Sequence, residues 1–302
     1  MTPQKSCLLS FGEFLWDCIQ DQVHIGGAPF NLAAHAVRCG LEAHLISRVG
    51  TDELGRRALA EAHRLDVGTE CVPVDAQQPT GTVTVQLSSV GQPTYTIHAP
   101  VAWDFIAANE AMLATLRGWR VDAICFGTLA QRNIVARSSL WHVLKAFPAI
   151  PTFFDVNLRQ QFFSREIIEP SLRRTAVLKL NDDEVAVLAN LLFRAPLNAT
   201  DFACEVMRQF PVQIILVTRG ERGCLVFERA GQATEVPGRL VKVADAVGAG
   251  DAFSAAFLAF WLRGFMPVKA AQMANELGAF VASQRGAVPD YTADIRLRLG
   301  LM

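Results

Sequence analysis

The 302-residue sequence predicts an α/β domain in which helices sandwich a mainly parallel sheet. Short, continuously apolar segments, typical of strands buried on both faces, alternate with segments of helical periodicity along most of the chain. One stretch, residues 80–98, instead alternates apolar and polar residues and predicts an inserted antiparallel hairpin. No linker or repeat interrupts the pattern, so a single domain over residues 1–302 is expected.

The first half of the chain opens with a predicted buried strand at Cys7–Phe11. A helix is predicted at 29–39, because Pro29 suits a first helical turn and Gly40 ends the pattern. The other elements of this half are a strand at 43–49, a helix at 53–65, a strand at 123–126, a helix at 133–147 and a strand at 152–155.

The second half continues the same alternation. Its predicted elements are a strand at 177–180, helices at 182–189 and 201–210, strands at 213–218 and 223–228, and two closing helices at 249–263 and 268–284. Because helices separate most of these strands, the strands are expected to run parallel.

The predicted hairpin has two chemically different faces. Its apolar face carries Val83, Val85 and Leu87, and its polar face carries Thr82, Thr84 and Gln86. The turn is expected at Gly91-Gln92-Pro93, with Tyr95 and Ile97 on the returning strand. Such an insertion is either a structural elaboration or a lid over an active site, and the pattern alone fits both.

Composition narrows the class of protein. The net charge is −1, from 28 Lys and Arg against 29 Asp and Glu, so neither nucleic acid nor an anionic membrane is favoured as a partner. Residues 1–16 lack the pattern of a secretory signal, and the longest apolar run, 252–262, falls short of the roughly 20 residues that span a bilayer. The seven cysteines form no CxxC pair, which predicts buried free thiols in a cytoplasmic protein.

The most informative segment is Asp245-Ala-Val-Gly-Ala-Gly-Asp251, within which an apolar helix is expected to begin. The first N–H groups of a helix lack intrahelical partners and carry a partial positive charge. Gly248, Ala249 and Gly250 let a phosphate approach this backbone closely. A carboxylate at Asp251 would repel that phosphate, which is unfavourable in a simple phosphate-binding loop. Its presence makes sense if it accepts a proton from a hydroxyl that attacks the phosphate.

Three polar segments in the first two thirds of the chain have both a functional and an ordinary structural interpretation. Gly27 and Asn31, around a predicted helix start, suit a polyol or a simple turn. Asp17, at the end of the first strand region, suits sugar hydroxyls or is a solvated loop acid. Arg159 closes the segment that begins at Asp155, where its planar guanidinium suits phosphate or a polar substrate, or belongs to a hydrogen-bonded turn.

Two later segments are similarly ambiguous when taken singly. Asn181 and Glu184 open a helix, where acids stabilise the helix dipole or contact phosphate and the waters of Mg²⁺. Thr218, Gly220 and Gly223 join two strands, where the glycines form a hairpin turn or face a nucleotide.

Several competing functions find no support in the sequence. It contains neither a G-x-x-x-x-G-K-[ST] loop nor a G-x-G-x-x-G after the first strand, which disfavours P-loop enzymes and nicotinamide dehydrogenases. The six histidines show no metal-ligand spacing, so a zinc hydrolase is unsupported. A sugar- or nucleotide-binding regulator without turnover would gain nothing from Asp251 beside a phosphate.

Taken together, these segments resemble the ribokinase-like (PfkB) family of carbohydrate kinases over essentially the whole chain. Two segments match the family's signature regions: Gly26-Gly-Ala-Pro-Phe-Asn31 and Asp245-Ala-Val-Gly-Ala-Gly-Asp251. Within the family the chain looks most like bacterial fructokinases. That similarity is carried by Gly12-Glu13, Leu15-Trp16-Asp17, Gly26–Asn31, Ala102-Trp103-Asp104 and Asp155–Arg159.

The resemblance implies a role for each matching residue. Asp251 is the base, and Gly248, Ala249 and Gly250 supply the amides of an anion hole. The sugar is held by Asp17, Gly27, Asn31 and Arg159. The magnesium–phosphate motif is Asn181 with Glu184, and ATP is bordered by Thr218, Gly220, Gly223 and Asn275. A monovalent cation such as potassium is held by the backbone of Asp245, Val247, Val281, Gln284 and Gly286.

The resemblance also bears on the lid and the substrate. It identifies the hairpin as the family's lid, with lid strands from about 12–24 and 71–100, and an exposed lid can join two copies as a homodimer. Ala246 stands where Thr is common in the family, which removes a hydroxyl contact and leaves the backbone anion hole. Fructose is the expected acceptor, with ATP and Mg²⁺, while 2-keto-3-deoxygluconate, ribose and nucleosides stay open because their kinases share the late motif.

Overall fold

The protein, analysed as a computed structural model, is described over residues 5–19, 22–87, 93–229, 231 and 233–301. The strands are β1 Cys7–Phe11, β2 Leu15–Ile19, β3 Gln22–Gly26, β4 Glu42–Ile46, β5 Val49–Gly50, β6 Gly68–Cys71, β7 Val74–Asp75, β8 Gly81–Leu87, β9 Pro93–Ile97, β10 Val121–Phe126, β11 Thr152–Asp155, β12 Val177–Asn181, β13 Ile214–Thr218, β14 Cys224–Glu228 and β15 Thr234–Val236. The helices are α1 Ala28–Arg38, α2 Glu53–Arg64, α3 Glu110–Arg117, α4 Ile134–Ala146, α5 Arg165–Arg174, α6 Asp182–Phe193, α7 Ala199–Gln209, α8 Ala249–Leu262, α9 Pro267–Ala282 and α10 Ala293–Arg298.

A nine-stranded sheet forms the centre of the fold. Its strand order is β15-β14-β13-β12-β11-β10-β1-β4-β6. The strands from β6 to β13 pair in parallel, and β13-β14-β15 pair antiparallel. The predicted fold class, a mainly parallel sheet between layers of helices, is therefore confirmed.

Each face of this sheet supports its own hydrophobic core. One core joins the sheet to α1, α8 and α9, and Phe30, Phe257 and Leu277 belong to it. The opposite core includes Leu140 of α4 and Phe202 of α7. Nine consecutive residues of α8, from 252 to 260, are buried, which explains why this helix is apolar on all sides. The start of α8 is thus fixed by the packing of its whole length.

A second, four-stranded sheet is the lid, with the order β3-β2-β8-β9. The predicted hairpin is present as β8 paired antiparallel with β9. Of its predicted turn, Gly91 and Gln92 lie outside the described residues, and Pro93 is the first residue of β9. The lid strands differ from the predicted ranges in three places: β3 extends to Gly26, Cys71 belongs to β6 of the main sheet, and β7 pairs with β5 in a separate small sheet.

Other differences from the predicted elements have local causes. The predicted strand at 43–49 is two strands, because Val49 leaves the main sheet to pair with Val74 in a small separate sheet. The sequence patterns missed α3, α5 and α10, which have 8, 10 and 6 residues, too short to show a clear helical period. In addition, Pro170 lies inside α5, and a proline normally argues against a helix interior.

The cysteines agree with the prediction of mostly buried free thiols. All seven cysteines are free thiols; five are buried, Cys18 is partly exposed and Cys204 is exposed. Among the described residues, no helix combines the length and apolar character that crossing a membrane requires.

Candidate active site

Two helix starts meet beside the carboxyl ends of the central strands. The Asn31 side chain in the first turn of α1 donates from Nδ2 to Oδ2 of Asp251 in the first turn of α8, at 2.8 Å. This contact joins residues 220 positions apart in the chain. It brings the two signature segments together, as expected if they form one site.

The start of α8 depends on Gly248. This residue is the N-cap and has φ 79°, a left-handed conformation that favours glycine. A Cβ at this position would lie 2.4 Å from the carbonyl oxygen of Ala287. The Ala249 N–H donates to the Ala246 carbonyl at 3.3 Å. The N–H groups of Gly250 and Asp251 are therefore the first-turn donors best placed for an anion.

Asp251 is a partly buried carboxyl group whose pKa is strongly altered. Its pKa is raised from 3.8 to about 6, chiefly by burial and in addition by the nearby Asp155, against the lowering effects of Asn31, Lys179 and Arg159. A carboxylate with a pKa near 6 is mostly ionised at neutral pH and more basic than an exposed aspartate. It therefore fits the task of a general base.

A buried ion pair lies next to this carboxylate. Lys179 Nζ contacts both carboxylate oxygens of Asp155, at 3.0 and 3.1 Å, and both side chains are more than 90% buried. Ser254 Oγ donates to Asp155 Oδ2 at 2.9 Å. A Cβ built on Gly250 would lie 3.2 Å from Lys179 Nζ, so the ammonium adjoins the start of α8. The site therefore contains a fixed positive charge beside the proposed anion hole.

The sequence analysis missed Lys179 as a site residue. The sequence did contain an indication of it. Lys179 lies inside the apolar strand Val-Leu-Lys-Leu, and a buried lysine needs a partner of opposite charge. The partner was invisible, since Asp155 lies on the neighbouring strand, where it is aligned with Lys179 by the β11–β12 register.

Asp17 occupies a different place from the one predicted. It lies in the middle of β2 in the lid sheet, opposite His24 of β3, and does not follow a strand of the main sheet. A Cβ on Gly26 would lie 2.5 Å from Asp17 Oδ2, so the carboxylate packs closely against this glycine. Burial raises the pKa of Asp17. The predicted sugar contact would thus come from the lid.

Gly27 holds the turn before α1 in a conformation that other residues rarely adopt. Its φ is 104°, and a Cβ there would lie 2.3 Å from the Glu13 carbonyl oxygen. Arg159 is exposed at the end of the segment after β11, and its positive charge lowers the pKa of Glu13, Asp17 and Asp251. Of the four residues predicted to hold a sugar, Asn31 contacts Asp251 directly and Arg159 influences its pKa; the sugar-binding role of all four stays a prediction.

Glu13 is a second buried acid that the sequence analysis did not assign to the site. It is 4% exposed, and its Oε2 has no hydrogen-bond partner within the described structure. Burial raises its pKa from 4.5 to about 7; the Asp251 charge raises it, whereas Arg159 and the Ala28 backbone lower it. Asn31 Oδ1 is likewise buried without a described partner. Two unpaired polar atoms next to the base are available to a polar ligand.

Glu13→Gln should raise the stability of the protein at alkaline pH. Because the folded-state pKa is raised, the ionised carboxylate destabilises the fold; the cost appears above the unfolded pKa and is complete above about 7. A shift from 4.5 to about 7 corresponds to about 3 kcal/mol. Urea unfolding from pH 5 to 8 measures the difference in the free energy of unfolding between Glu13→Gln and wild type. This difference should grow as the pH rises. The exposed Glu53→Gln serves as control, and a pH-independent difference would contradict the prediction.

Asn181 and Glu184 form the N-terminal cap of α6. Asn181 Oδ1 accepts from the Glu184 N–H, and Glu184 Oε2 accepts from the Asn181 N–H, each at 2.8 Å. Glu184 Oε1 accepts from the Leu158 N–H at 2.8 Å. Both carboxylate oxygens are thus engaged by backbone. The residues fit a cation through bound water better than by direct ligation.

Two of the four residues predicted to border ATP, Gly223 and Asn275, lie against the segment 236–238. A Cβ on Gly223, which has φ 82°, would lie 2.1 Å from the Val236 carbonyl oxygen. Asn275 Nδ2 donates to the carbonyls of Val236 and Pro237, at 3.2 and 3.1 Å. Gly220 begins the short 3₁₀ turn after β13, and Thr218 ends that strand beside Asn181 of β12. These contacts are all within the protein, so the role of the four residues in bordering ATP stays a prediction.

Asp245 links the two loops predicted to hold a monovalent cation. Its Oδ1 accepts from the Val247 N–H at 3.0 Å, and its Oδ2 accepts from the Gly286 N–H at 3.2 Å. The Gln284 N–H donates to the Val281 carbonyl in the adjoining turn. The five residues are therefore neighbours next to the start of α8, and their cation-binding role stays a prediction.

A separate cluster lies at the opposite, amino-terminal edge of the strands. Cys7, Glu42 and His44 place one potential metal-ligand atom each within 4.8 Å of the others. The two nitrogens of His44 already contact Glu42 Oε1 at 2.9 Å and Glu70 Oε2 at 3.1 Å, and its ring stacks on Trp119. These polar contacts account for the position of the histidine without a metal.

Comparison with known proteins shows which family the chain resembles. A family model described as pfkB family carbohydrate kinase matches residues 4–293. A fructokinase of Klebsiella pneumoniae is 28% identical over 279 residues, or 87% of each protein. An uncharacterized sugar kinase from Pyrococcus horikoshii, solved with ATP, is 26% identical and has a TM-score of 0.80 over 96% of this chain and 97% of that one.

A fructokinase double mutant from Vibrio cholerae, solved with fructose, ADP and potassium ion, has a TM-score of 0.82 at 24% identity, covering 95% and 96% of the two chains. The fold is thus the ribokinase-like fold that the sequence predicted. Since the family model spans nearly the whole chain, this protein belongs to the PfkB family of carbohydrate kinases and is an ATP-dependent sugar kinase.

Proposed function

We propose that the protein phosphorylates a primary hydroxyl of a ketose, with fructose as the preferred acceptor. The observation that carries this proposal is the position of Asp251: a partly buried carboxyl group with a pKa near 6, in the first turn of α8 and in contact with Asn31 of α1. A carboxylate at a helix start that attracts anions is unfavourable for binding alone, and it becomes useful when a hydroxyl must lose a proton there.

In the proposed reaction, the acceptor hydroxyl transfers its proton to the carboxylate of Asp251. The acceptor oxygen forms a bond to the γ-phosphorus of ATP while the bond between the γ-phosphorus and the bridging oxygen of the β-phosphate breaks. ADP leaves with the electron pair of the broken bond. The N–H groups of Gly250 and Asp251 and the ammonium of Lys179 stabilise the charge on the transferred group. Closure of the lid sheet excludes water, which would otherwise compete as acceptor.

The remaining residues are proposed to bind and orient the reactants. Asp17, Gly27, Asn31 and Arg159 hold the sugar; Thr218, Gly220, Gly223 and Asn275 border ATP. Asn181 and Glu184 hold the water shell of Mg²⁺, which when bound supplies charge compensation for the phosphates. The loops joined by Asp245 accommodate a potassium-like cation, in line with the ion in the Vibrio fructokinase structure.

Fructose as acceptor is supported by the Klebsiella relative and by the fructose-bound Vibrio structure. ADP release with ATP and a panel of fructose, 2-keto-3-deoxygluconate, ribose and adenosine tests the proposal. Fructose should give the highest kcat/KM. If another compound ranks first, the sugar is wrong and the kinase assignment stands.

A non-catalytic sugar-binding regulator is the alternative from a different class. It predicts sugar and nucleotide binding without ADP release from any acceptor, so calorimetric binding measured beside the same panel separates the two. The homodimer through the lid stays a prediction of the resemblance.

A further inference from the structure

His35 is a fully buried histidine that lies one helical turn after Asn31 on the same side of α1. Its Nδ1 lies 2.7 Å from Tyr291 Oη, and its Nε2 lies 2.9 Å from the Ala287 carbonyl oxygen. A carbonyl only accepts, so Nε2 carries the proton and Nδ1 accepts from the tyrosine hydroxyl. Burial lowers the pKa of His35 to about 4, so the ring is neutral in this arrangement.

The Ala287 backbone that His35 holds is the surface on which Gly248 rests. A Cβ on Gly248 would lie 2.4 Å from the Ala287 carbonyl oxygen and 2.7 Å from its Cα. The N–H of the neighbouring Gly286 donates to Asp245, which lies in the loop just before α8. Residues 286–287 thus fill the space between α1 and the start of α8.

We propose that His35 is a positioning residue for the anion hole. By holding the Ala287 carbonyl, it fixes the backbone beneath Gly248 and therefore the direction of the first-turn N–H groups of α8. The same face of α1 then controls both groups that the reaction needs: Asn31 orients the base Asp251, and His35 orients the donors. This inference rests on the proposed function of the site.

The expected consequence is a loss of turnover with little loss of binding. A displacement of the donors by about 1 Å can cost on the order of 10²-fold in rate. The sugar and ATP contacts lie elsewhere, so their KM values should change little. A purely structural histidine would instead affect stability and leave the turnover of the folded fraction unchanged.

Two variants separate the hydrogen bond from the packing of the ring. His35→Gln can place an amide nitrogen where Nε2 lies, and so keep the bond to Ala287. His35→Asn can place its amide oxygen near Nδ1, and so keep the Tyr291 contact and lose Ala287. We expect kcat to fall about 10–100-fold in His35→Asn, the range seen when outer-shell hydrogen bonds are removed, and to stay within about threefold of wild type in His35→Gln. Tyr291→Phe, which leaves the Ala287 bond in place, should behave like His35→Gln.

A second readout does not depend on catalysis. Amide hydrogen exchange of the segment 244–252, followed by mass spectrometry on the full-length protein, should be faster in His35→Asn than in His35→Gln. Equal kcat and equal exchange in the two variants would overturn the inference. If wild type phosphorylates no sugar, the proposed function fails, and the exchange comparison still decides whether His35 positions the start of α8.

Discussion

Asp251→Asn should lower kcat by about 10²–10⁴-fold, the usual contribution of a general base. It should also make the protein more stable above pH 7. The folded-state pKa is raised from 3.8 to about 6, so the ionised carboxylate costs stability that is fully expressed above the folded pKa, on the order of 3 kcal/mol. The asparagine can still accept the hydrogen bond from Asn31.

Asp201 is the matched control for this substitution. It is the third residue of α7, as Asp251 is the third residue of α8, and its Oδ2 accepts from Asn198 Nδ2 at 2.8 Å. It is exposed and distant from the site, so Asp201→Asn should destabilise the protein by about 0.3–1 kcal/mol through the helix dipole and leave kcat unchanged.

The two responses, measured by steady-state kinetics and thermal unfolding at pH 8, distinguish a base from a helix-stabilising acid. A variant at Asp251 that keeps near wild-type turnover would refute its role as the base. In wild type, kcat/KM should decline on the acid side with an apparent pKa near 6, and this limb should be absent from any residual activity of Asp251→Asn.

Lys179→Met should destabilise the protein by about 3–5 kcal/mol at pH 7, the cost of leaving one member of a buried ion pair without its partner. Asp155 would retain only the hydrogen bond from Ser254. Urea unfolding of the single variant and of the double variant Lys179→Met/Asp155→Asn measures this destabilisation, and the double variant should recover part of the loss.

The exposed pair Arg56–Glu53, with both side chains more than 60% exposed, provides the comparison. Arg56→Met should change the free energy of unfolding by about 0–1 kcal/mol. If Lys179→Met costs no more than Arg56→Met, the Lys179–Asp155 pair is not the buried, interdependent unit described here.

Much of the architecture was predictable because local periodicity reports burial. The apolar strands Cys7–Phe11 and Thr152–Asp155 have the predicted bounds, since each is enclosed by helices on both faces. The alternation in residues 80–98 correctly predicted β8 and β9. Asp17 was misplaced at the end of a strand because a single carboxylate carries no periodicity; the resemblance assigned residues 12–24 to the lid, and sheet pairing shows that Asp17 lies in the middle of β2.

The sequence by itself determined the residues that the chemistry requires: the small-residue helix start at 248–250, Asp251 behind it, and the Gly-Gly turn ahead of α1. Their geometry is local, because it depends on glycines with positive φ and on helix N-caps. Short sequence segments are therefore enough to predict it. Tertiary structure alone decided which polar groups come into contact. The contacts between Asn31 and Asp251, Lys179 and Asp155, and His35 and Ala287 join positions 220, 24 and 252 residues apart. The desolvation that shifts the pKa values of Asp251 and His35 exists only once the two cores have closed around the sheet.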